Sequence, residues 1–361
     1  MSARKTNRRQ FLAGKSATTA LGDMVDAWME GSEAPAPPEA SPPEGYLLEY
    51  SRRAMACQFA IFLNAGQSSQ HADAAFAALD LVEQLEAQLS IYRETSEISH
   101  INRSATEGPV KMEARLAALL ALAERISRET GGAYDISAGP LVRAWGFVRR
   151  QGALPHADAL AAARQAVGQH LIRLDAAAGT IQFLRPGMEL NLGSIGKGYA
   201  LDRAAEVLAA AGTSDCLLHG GQSSVLARGG CVESGHDQGW SIGLPHPYRR
   251  SERLGQIRLR DQALSTSGSA TQFFEHQGRR LGHILDPRSG LPVEGVLSTT
   301  AIAATAAEAD ALSTAFYVLG PRAVEEYCAS HADVGAIFVL PAARAPGVDI
   351  QTIGLATSLY T

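Results

Sequence analysis

The stretch GHILDPRSGLP, residues 282–292, places a histidine, an aspartate, an arginine and two prolines within eleven residues. Asp286 and Pro287 followed by Ser289 and Gly290 are typical of a tight turn, in which the aspartate side chain caps the backbone. His283 stands just before this turn, so a rigid backbone can aim its ring reproducibly. Taken alone, the stretch favours a structural histidine over a catalytic one.

The composition of the chain excludes several classes of protein. It has 361 residues, of which 46% are apolar and 19% are charged, and its formal net charge is −5. This balance, without a basic cluster interleaved with aromatic residues, argues against a nucleic-acid binder. The four cysteines form no CxxC pair, so neither a zinc site nor a redox dithiol is indicated. No apolar run reaches the roughly eighteen residues of a membrane-spanning helix, so we expect no transmembrane segment.

The N-terminal region is expected to lie outside the folded body. Arg8 and Arg9, followed by two apolar residues, resemble a twin-arginine export signal and predict a periplasmic or cell-envelope protein. Charged residues between positions 15 and 30 oppose insertion and leave open a basic tail on a cytoplasmic protein. The expected divisions are this signal or tail over residues 1–32, a proline-rich linker over 33–45 and the folded domain over 46–361.

The apolar pattern of the body predicts a mixture of strands and helices. Residues 46–64 have the alternation of strands, and residues 71–90 space their apolar side chains three and four apart, as an amphipathic helix does. Further elements are helices over residues 113–129, 201–211 and 305–319 and strands in TIQFL, SIGLP and VGAIFVL. This mixture predicts an α+β fold in one large or two intimately joined domains.

A glycine-rich segment has side chains suited to a phosphate. NLGSIGKGYALDRAAEVL, residues 191–208, runs from three glycines into a helix whose first amides can approach a phosphate closely. Its spacing is neither that of a phosphate loop nor that of a dinucleotide fold. The competing interpretation is a turn that packs a helix against a sheet with Lys197 solvated. Because the chain has only four lysines, we favour a ligand role for Lys197.

A second segment has side chains suited to a metal ion. In AEADALSTAFYVLG, residues 307–320, Asp310 and Thr314 stand four apart and share one face of a predicted helix. Their oxygens suit Mg²⁺, which takes few protein ligands and completes its shell with phosphate oxygens and water. Alone, the segment favours hydrogen bonds within the core instead. HGGQSS, residues 219–224, is not followed by a G-x-S-x-G elbow, which argues against a serine hydrolase.

Seven segments, taken in order between Arg53 and Gly320, resemble the FAD:protein FMN transferase family, called ApbE. They are YRETSEISHIN, AYDISAGPLVRAWGF, NLGSIGKGYALDRA, HGGQSSVLARG, STSG, HILDPRSGLPV and ADALSTAFYVLG. The family motif H-I-x-D-P-x-[ST]-G is matched by the residues from His283 to Gly290. The resemblance implies a compact α+β, T-fold-related body with two intimately joined lobes.

The same resemblance implies a reaction and its residues. FAD is cleaved at its diphosphate with Mg²⁺, FMN is attached through a phosphoester to a threonine hydroxyl of an acceptor flavoprotein, and AMP leaves. The implied metal ligands are Asp310, Thr314 and the backbone carbonyl of Ser194, and His283 is the implied general base. The residues implied to bind FAD are Met55, Tyr92, Ala133, Tyr134, Asp135, Asn191, Lys197 and Leu285.

The chain departs from the family pattern near these residues. Ala56 and Cys57 replace the glycine and threonine that usually follow the methionine. Asn191 replaces an acidic residue, and Ser313 stands where some members have another aspartate, which leaves the metal site with less negative charge. These departures bear on the affinity for flavin and metal.

Several alternatives remain open at the level of sequence. With water in place of threonine, the chain would be an FAD pyrophosphatase that releases FMN and AMP. A flavin-binding or flavin-delivering protein would bind FAD and release no AMP, and an extracytoplasmic α+β binding domain would use every motif structurally. SGSAT, residues 267–271, partly resembles an acceptor sequence, which raises the alternative of self-flavinylation at Thr271.

Overall fold

The fold is that of a computed structural model, which describes residues 46–67, 69–149, 152–232, 238–249, 252–269, 272–342 and 347–355. The expected export signal or tail, the linker and Thr271 lie outside these residues, so the boundaries at residues 32 and 45 and the self-flavinylation idea stay predictions. Among the described residues, no helix is both long and apolar enough to cross a membrane.

Helices and strands alternate irregularly along the described chain, which gives the predicted α+β composition. The strands are β1 (Leu47–Ala54), β2 (Cys57–Asn64), β3 (Val110–Lys111), β4 (Ile172–Asp175), β5 (Thr180–Phe183), β6 (Cys216–Gly220), β7 (Ser224–Arg228), β8 (Trp240–Pro245), β9 (Arg253–Leu259), β10 (Gln262–Gly268), β11 (Phe273–His276), β12 (Arg279–Gly282), β13 (Leu285–Asp286), β14 (Leu291–Pro292), β15 (Ser298–Ala303), β16 (Gly335–Pro341) and β17 (Val348–Ile353). The helices are α1 (His71–Leu89), α2 (Glu97–Ser104), α3 (Ala114–Glu129), α4 (Gly139–Ala144), α5 (Ala157–Gln165), α6 (Gly196–Ala210), α7 (Ala306–Leu319) and α8 (Pro321–Ser330).

An eight-stranded antiparallel sheet, in the order β1-β2-β6-β7-β10-β15-β16-β17, forms the centre of the fold. Helices α1, α6 and α7 pack on one face of the sheet, and the β8–β9 hairpin covers the other. Strand alternation explains this division, because Leu226 joins the helical core while Val225 joins the core beneath the hairpin. The central strands β6 and β7 are therefore buried on both faces.

A smaller apolar cluster lies around the turn that follows His283. It contains Leu141 and Trp145 from α4 and its end, together with Leu281 and Leu285 from the segment around that turn. The Trp145 indole N–H donates to the carbonyl of Gly290 at 2.8 Å, so α4 is tied directly to the turn.

The apolar spacing predicted the long helices better than the short ones. Helices α1, α3 and α7 begin and end within one residue of their predicted bounds, with Thr305 as the N-cap of α7. The predicted start of α6 at residue 201 is wrong, because the helix begins at Gly196. Because the glycines at positions 196 and 198 have low helix propensity, the sequence pattern did not predict the first turn of this helix. The helices α2, α4, α5 and α8, of six to ten residues, were not predicted.

Helices α6 and α7 are locked together by two contacts. A Cβ atom at Gly198 would overlap the carbonyl oxygen of Ala306, so only glycine permits this close approach. One turn later, the Asp202 carboxylate accepts the N–H groups of Ala306 and Ala307 at 2.8 Å each and caps α7. Burial raises the pKa of Asp202 to about 6, against the opposing effect of these hydrogen bonds. Helix α6 thereby fixes where α7 begins.

The turn between β1 and β2 has an unusual backbone. Ala54 and Cys57 pair directly, which leaves Met55 and Ala56 as the two turn residues, with φ of 48° and 58°. Two-residue hairpins favour this left-handed geometry, but residues other than glycine pay roughly 1–2 kcal/mol each for it. The alanine that replaces the usual family glycine is therefore strained.

Replacing Ala56 with glycine should raise the free energy of unfolding by roughly 1 kcal/mol, because the left-handed strain is relieved. Urea denaturation of the metal-free protein measures this change. Ala77→Gly, at an exposed position inside α1, is the matched control and should lower stability by about 1 kcal/mol. Equal losses in both variants would contradict the strain at Ala56.

Replacing Gly198 with alanine should lower the free energy of unfolding by about 3 kcal/mol or more, because the added methyl group meets backbone rather than a side chain that can move. Gly108→Ala is the control, since an added Cβ there has no neighbour within 4 Å, and a change within about 0.5 kcal/mol is expected. Thermal unfolding of both variants checks the difference. A Gly198→Ala protein as stable as the control would rule out the tight α6–α7 contact.

Candidate active site

Asp310 lies at the centre of a buried hydrogen-bond network. Its side chain is 3% exposed, and its Oδ1 accepts the hydroxyls of Ser224 and Ser265 at 2.7 Å each. Its Oδ2 accepts the backbone N–H of Gly198 at 2.9 Å, and Lys197 Nζ lies 3.5 Å from Oδ1. A carboxylate in so apolar a region requires partners of this kind.

Two strands and two helices supply the groups in this network. Ser224 on β7 and Ser265 on β10 are direct partners in the antiparallel register. Lys197 and Gly198 belong to the first turn of α6, where backbone N–H groups are free and the helix dipole favours negative charge. The sequence therefore folds so that a strand register and a helix N-terminus meet at one carboxylate.

Thr314 lies one helical turn beyond Asp310 and faces the same strand. Its Oγ1 is 3.0 Å from the hydroxyl oxygen of Ser267, which also lies 2.9 Å from that of Ser313. Ser265 and Ser267 are two residues apart on β10 and so point to the same face of the sheet. The prediction that Asp310 and Thr314 share one helix face is confirmed.

The oxygen atoms here fit Mg²⁺ with few protein ligands. Among the described residues, no group of three or more His, Cys, Asp or Glu side chains could hold a metal. In the hydrogen-bond network around Asp310, the carboxylate is that of Asp310, and its partners there are hydroxyls, a backbone N–H and an ammonium. Oδ2 of Asp310 accepts one hydrogen bond and keeps a lone pair. Thr314 supplies a hydroxyl, and Ser194 lies in the turn just before α6. Mg²⁺ is commonly held by one or two carboxylates with phosphate and water.

His283 is held by its backbone and by one ring nitrogen. Its Nδ1 lies 3.1 Å from the carbonyl oxygen of Gln272, and its ring meets that of Phe147 edge-on. A carbonyl only accepts, so Nδ1 carries the proton and Nε2 of the neutral ring is free to accept another. Burial lowers the pKa of His283, and the positive charge of Lys197 lowers it further, against the opposing effect of the Gln272 hydrogen bond. The ring is therefore neutral near pH 7.

The turn after His283 has the geometry expected from its sequence. Asp286 accepts the backbone N–H of Arg288 at 2.9 Å, and its own carbonyl accepts the N–H of Gly290 at 2.7 Å. The Arg288 guanidinium also binds the Asp286 carboxylate. The structural role predicted for Asp286 is confirmed.

Three of the residues implied to bind FAD lie in the adjoining segment 133–135. Ala133 and Tyr134 are each 1% exposed, and Asp135 accepts the N–H groups of Ser137 and Gln169. Burial raises the pKa of Tyr134, and nearby Ser194 opposes this rise. Within the described residues, the Tyr134 hydroxyl has no hydrogen bond of normal geometry. The Asn191 N–H donates to the Ile136 carbonyl at 2.7 Å, so Asn191 lies beside this run.

The other implied FAD residues are more scattered. Met55 is half-buried in the β1–β2 turn, Tyr92 is 71% exposed and Leu285 lies in the apolar cluster around Trp145. The neighbouring Cys57 thiol has its pKa raised by burial, an effect that Lys197 opposes. The structure thus places Lys197 against Asp310, with Thr314 one helical turn further along. The metal and flavin roles of all these residues stay predictions.

Sequence reasoning missed the serines that hold Asp310 and Thr314. Ser224 appears in HGGQSS and Ser265 and Ser267 in STSG, segments noted only for a rejected hydrolase and for the family resemblance. These serines share a hydroxyl group and lie on two neighbouring strands. The sequence does not show that they are close, because this depends on the pairing of β7 with β10.

Comparison with known proteins identifies the family of the chain. The model of the ApbE family matches residues 55–338. The chain belongs to the ApbE family. It is 31% identical over 265 residues to the FAD:protein FMN transferase of Klebsiella pneumoniae (strain 342), covering 72% of this chain and 79% of that relative. It is 31% identical over 315 residues to the FAD:protein FMN transferase of Treponema pallidum (strain Nichols), covering 82% and 86%.

Solved ApbE structures share the fold. The ApbE protein of Thermotoga maritima superposes with a TM-score of 0.75 at 26% identity, over 85% of this chain and 97% of that one. The apo form of the Pseudomonas stutzeri flavinyl transferase ApbE gives a TM-score of 0.75 at 26% identity, over 87% and 96%. These likenesses confirm the predicted ApbE-like α+β body.

Proposed function

We propose that the chain transfers FMN from FAD to a threonine hydroxyl of an acceptor flavoprotein, with Mg²⁺ as the cofactor and AMP as the leaving product. The arrangement that carries this proposal is the convergence on Lys197. This side chain pairs with Asp310, and its charge acts on His283. A phosphate-binding cation, an oxygen-donor centre and a neutral histidine are the groups that such a transfer needs, and this chain of the ApbE family carries all three.

The proposed step replaces the phosphoanhydride bond between the two halves of FAD with a phosphoester bond to threonine. The threonine oxygen attacks the phosphorus of the FMN half, the bond from that phosphorus to the bridging oxygen breaks, and AMP leaves with that oxygen. Mg²⁺ would neutralise the diphosphate, held by Asp310, Thr314 and the Ser194 carbonyl. Lys197 binds a diphosphate oxygen, since its ion pair with Asp310 is long and its ammonium has donors left.

His283 accepts the threonine proton in this proposal. Its Nδ1 is occupied by the Gln272 carbonyl, so the proton goes to Nε2. A neutral ring is needed for this step, and the lowered pKa of His283 keeps the ring neutral below the pH at which an exposed histidine becomes charged. The turn held by Asp286 keeps the backbone of His283 in place.

The reaction can be tested directly with the acceptor flavoprotein of the Klebsiella pneumoniae relative, using that relative as the positive control. Incubation with FAD and Mg²⁺ should give AMP and an acceptor heavier by FMN, and both products should require the metal and the acceptor. Asp310→Asn should raise the Mg²⁺ concentration for half-maximal rate by roughly 10–100-fold or more. AMP without a heavier acceptor would indicate a pyrophosphatase, and bound FAD without AMP would indicate a binding protein.

Replacing His283 with alanine should slow transfer by roughly 10²–10⁴-fold while FAD affinity, measured by equilibrium dialysis, changes little. In the unaltered protein, kcat/KM should fall tenfold per pH unit below the pKa of His283, which lies under the ordinary value of 6.5. His156→Ala, at an exposed residue before α5, is the control and should leave the profile unchanged. An acid limb centred above pH 6.5 would exclude His283 as the base.

A further inference from the structure

The carbonyl oxygen of Gln272 holds His283 at two points. It accepts the backbone N–H of His283 at 3.2 Å, and the ring Nδ1 of the same histidine lies 3.1 Å from it. A carbonyl oxygen has two lone pairs, so both hydrogen bonds can form together. The backbone bond extends the β11–β12 ladder by one residue, since Phe273 pairs with Gly282. The backbone and the ring of His283 therefore both depend on the position of one oxygen atom.

The side chain of Gln272 ties this residue to the segment that follows α4. Its amide Nε2 donates to the backbone carbonyl of Phe147 at 3.1 Å. Phe274 lies two residues further along, where an extended chain points its side chain the same way. Its ring packs against the ring of Phe147, which is 3% exposed, with 6.0 Å between the centroids. The start of β11 is therefore anchored twice at one buried residue.

The contacts of Gln272, Phe147 and His283 form a closed ring. Gln272 donates to Phe147, the Phe147 ring meets the His283 ring edge-on, and His283 donates back to Gln272. Within the described residues, β11 and β12 pair only with each other, and an isolated two-stranded hairpin is marginally stable in water. The amide of Gln272 thus fixes the hairpin at the point where it contacts the histidine.

The tautomer of His283 decides whether the ring can act as the base. A neutral imidazole carries its proton on Nδ1 or on Nε2, and the other nitrogen accepts. The hydrogen bond made by one nitrogen selects between these two forms, so a carbonyl at Nδ1 selects the form in which Nε2 is free. If the carbonyl moved away, the ring could carry its proton on Nε2, where it cannot accept the proton of threonine.

We propose that Gln272 is a positioning residue for FMN transfer, because its side chain fixes the carbonyl that holds His283 in the accepting tautomer. The inference rests on the proposed function and adds to it the group that orients the base. Gln272 acts through His283 and needs no contact with FAD or threonine. A base that is oriented by a third group is a general arrangement where side chains transfer protons.

The test replaces Gln272 with methionine, which has a similar length and shape but no N–H donor. Full-length protein labelled with ¹⁵N in its histidine rings is studied by NMR at about pH 8, where His283 is neutral. His283→Ala identifies the signals of this ring. The unaltered protein should carry the His283 proton on Nδ1, and Gln272→Met should show a measurable population of the Nε2–H form.

Transfer kinetics give a second measurement on the same variant. With FAD, Mg²⁺ and the acceptor flavoprotein of the Klebsiella pneumoniae relative, Gln272→Met should lower kcat roughly tenfold or more, because a misplaced base reacts slowly. The KM values for FAD and acceptor should change by less than about twofold, since Gln272 binds neither substrate in this proposal.

Gln67→Met is the matched control. Gln67 is also half-buried, and its amide donates to the backbone carbonyl of Asp215 at 2.8 Å while its oxygen accepts the Asp215 N–H at 3.0 Å. The control therefore removes a comparable tether that does not involve His283. It should lower Tm at least as much as Gln272→Met does and leave kcat and the His283 tautomer unchanged. An equal loss of kcat in both variants would reduce the effect to general loosening and overturn the proposal.

Three further outcomes would overturn the positioning role. They are a His283 proton on Nε2 in the unaltered protein, a Gln272→Met protein with unchanged tautomer and kcat, and a fall in kcat without a change of tautomer. If the tautomer responds as expected but the unaltered protein moves no FMN, the hold of Gln272 on His283 stands and the proposed transferase function fails. The two proposals can therefore fail separately.

Discussion

The charge on Asp310 is the constraint on which the rest of the structure depends. A carboxylate buried in the protein core is tolerated only when hydrogen bonds and opposite charge replace the water it has lost. Here the replacement requires Ser224 and Ser265 in exact register on two strands and a free N–H at the start of α6. Sheet pairing and helix placement thus depend on the same carboxylate that, in the proposed function, would offer its remaining lone pair to Mg²⁺.

Lys197 connects this structural requirement to the proposed chemistry. Its ammonium offsets the charge of Asp310, and the same positive charge disfavours the protonated form of His283. One side chain therefore stabilises an anion that must stay charged and helps to keep neutral a base that must accept a proton. Neighbouring groups that are held in different charge states are common at sites where side chains transfer protons.

The sequence predicts those features that depend on local patterns. The long helices, the Asp286 turn and the shared face of Asp310 and Thr314 follow from spacing within one segment. The serine pair around Asp310 does not, because its members come from segments far apart in the chain and meet only after folding. The start of α6 was not predicted because its glycines have low helix propensity. Gly198 is needed there for the close packing of α6 against α7. The roles implied for Met55, Tyr92 and Leu285 rest on resemblance.

Helix α6 also limits how this part of the chain can change in length. Gly198 and Asp202 stand one turn apart and contact α7 through a close approach and a cap. An inserted or deleted residue between them would rotate one contact by roughly 100° relative to the other. Only one of the two contacts could then be kept, and keeping the Asp202 cap would move Lys197 away from Asp310. Related sequences should therefore tolerate insertions in the surface loops of this fold but keep an unbroken count of residues from Lys197 to Asp202.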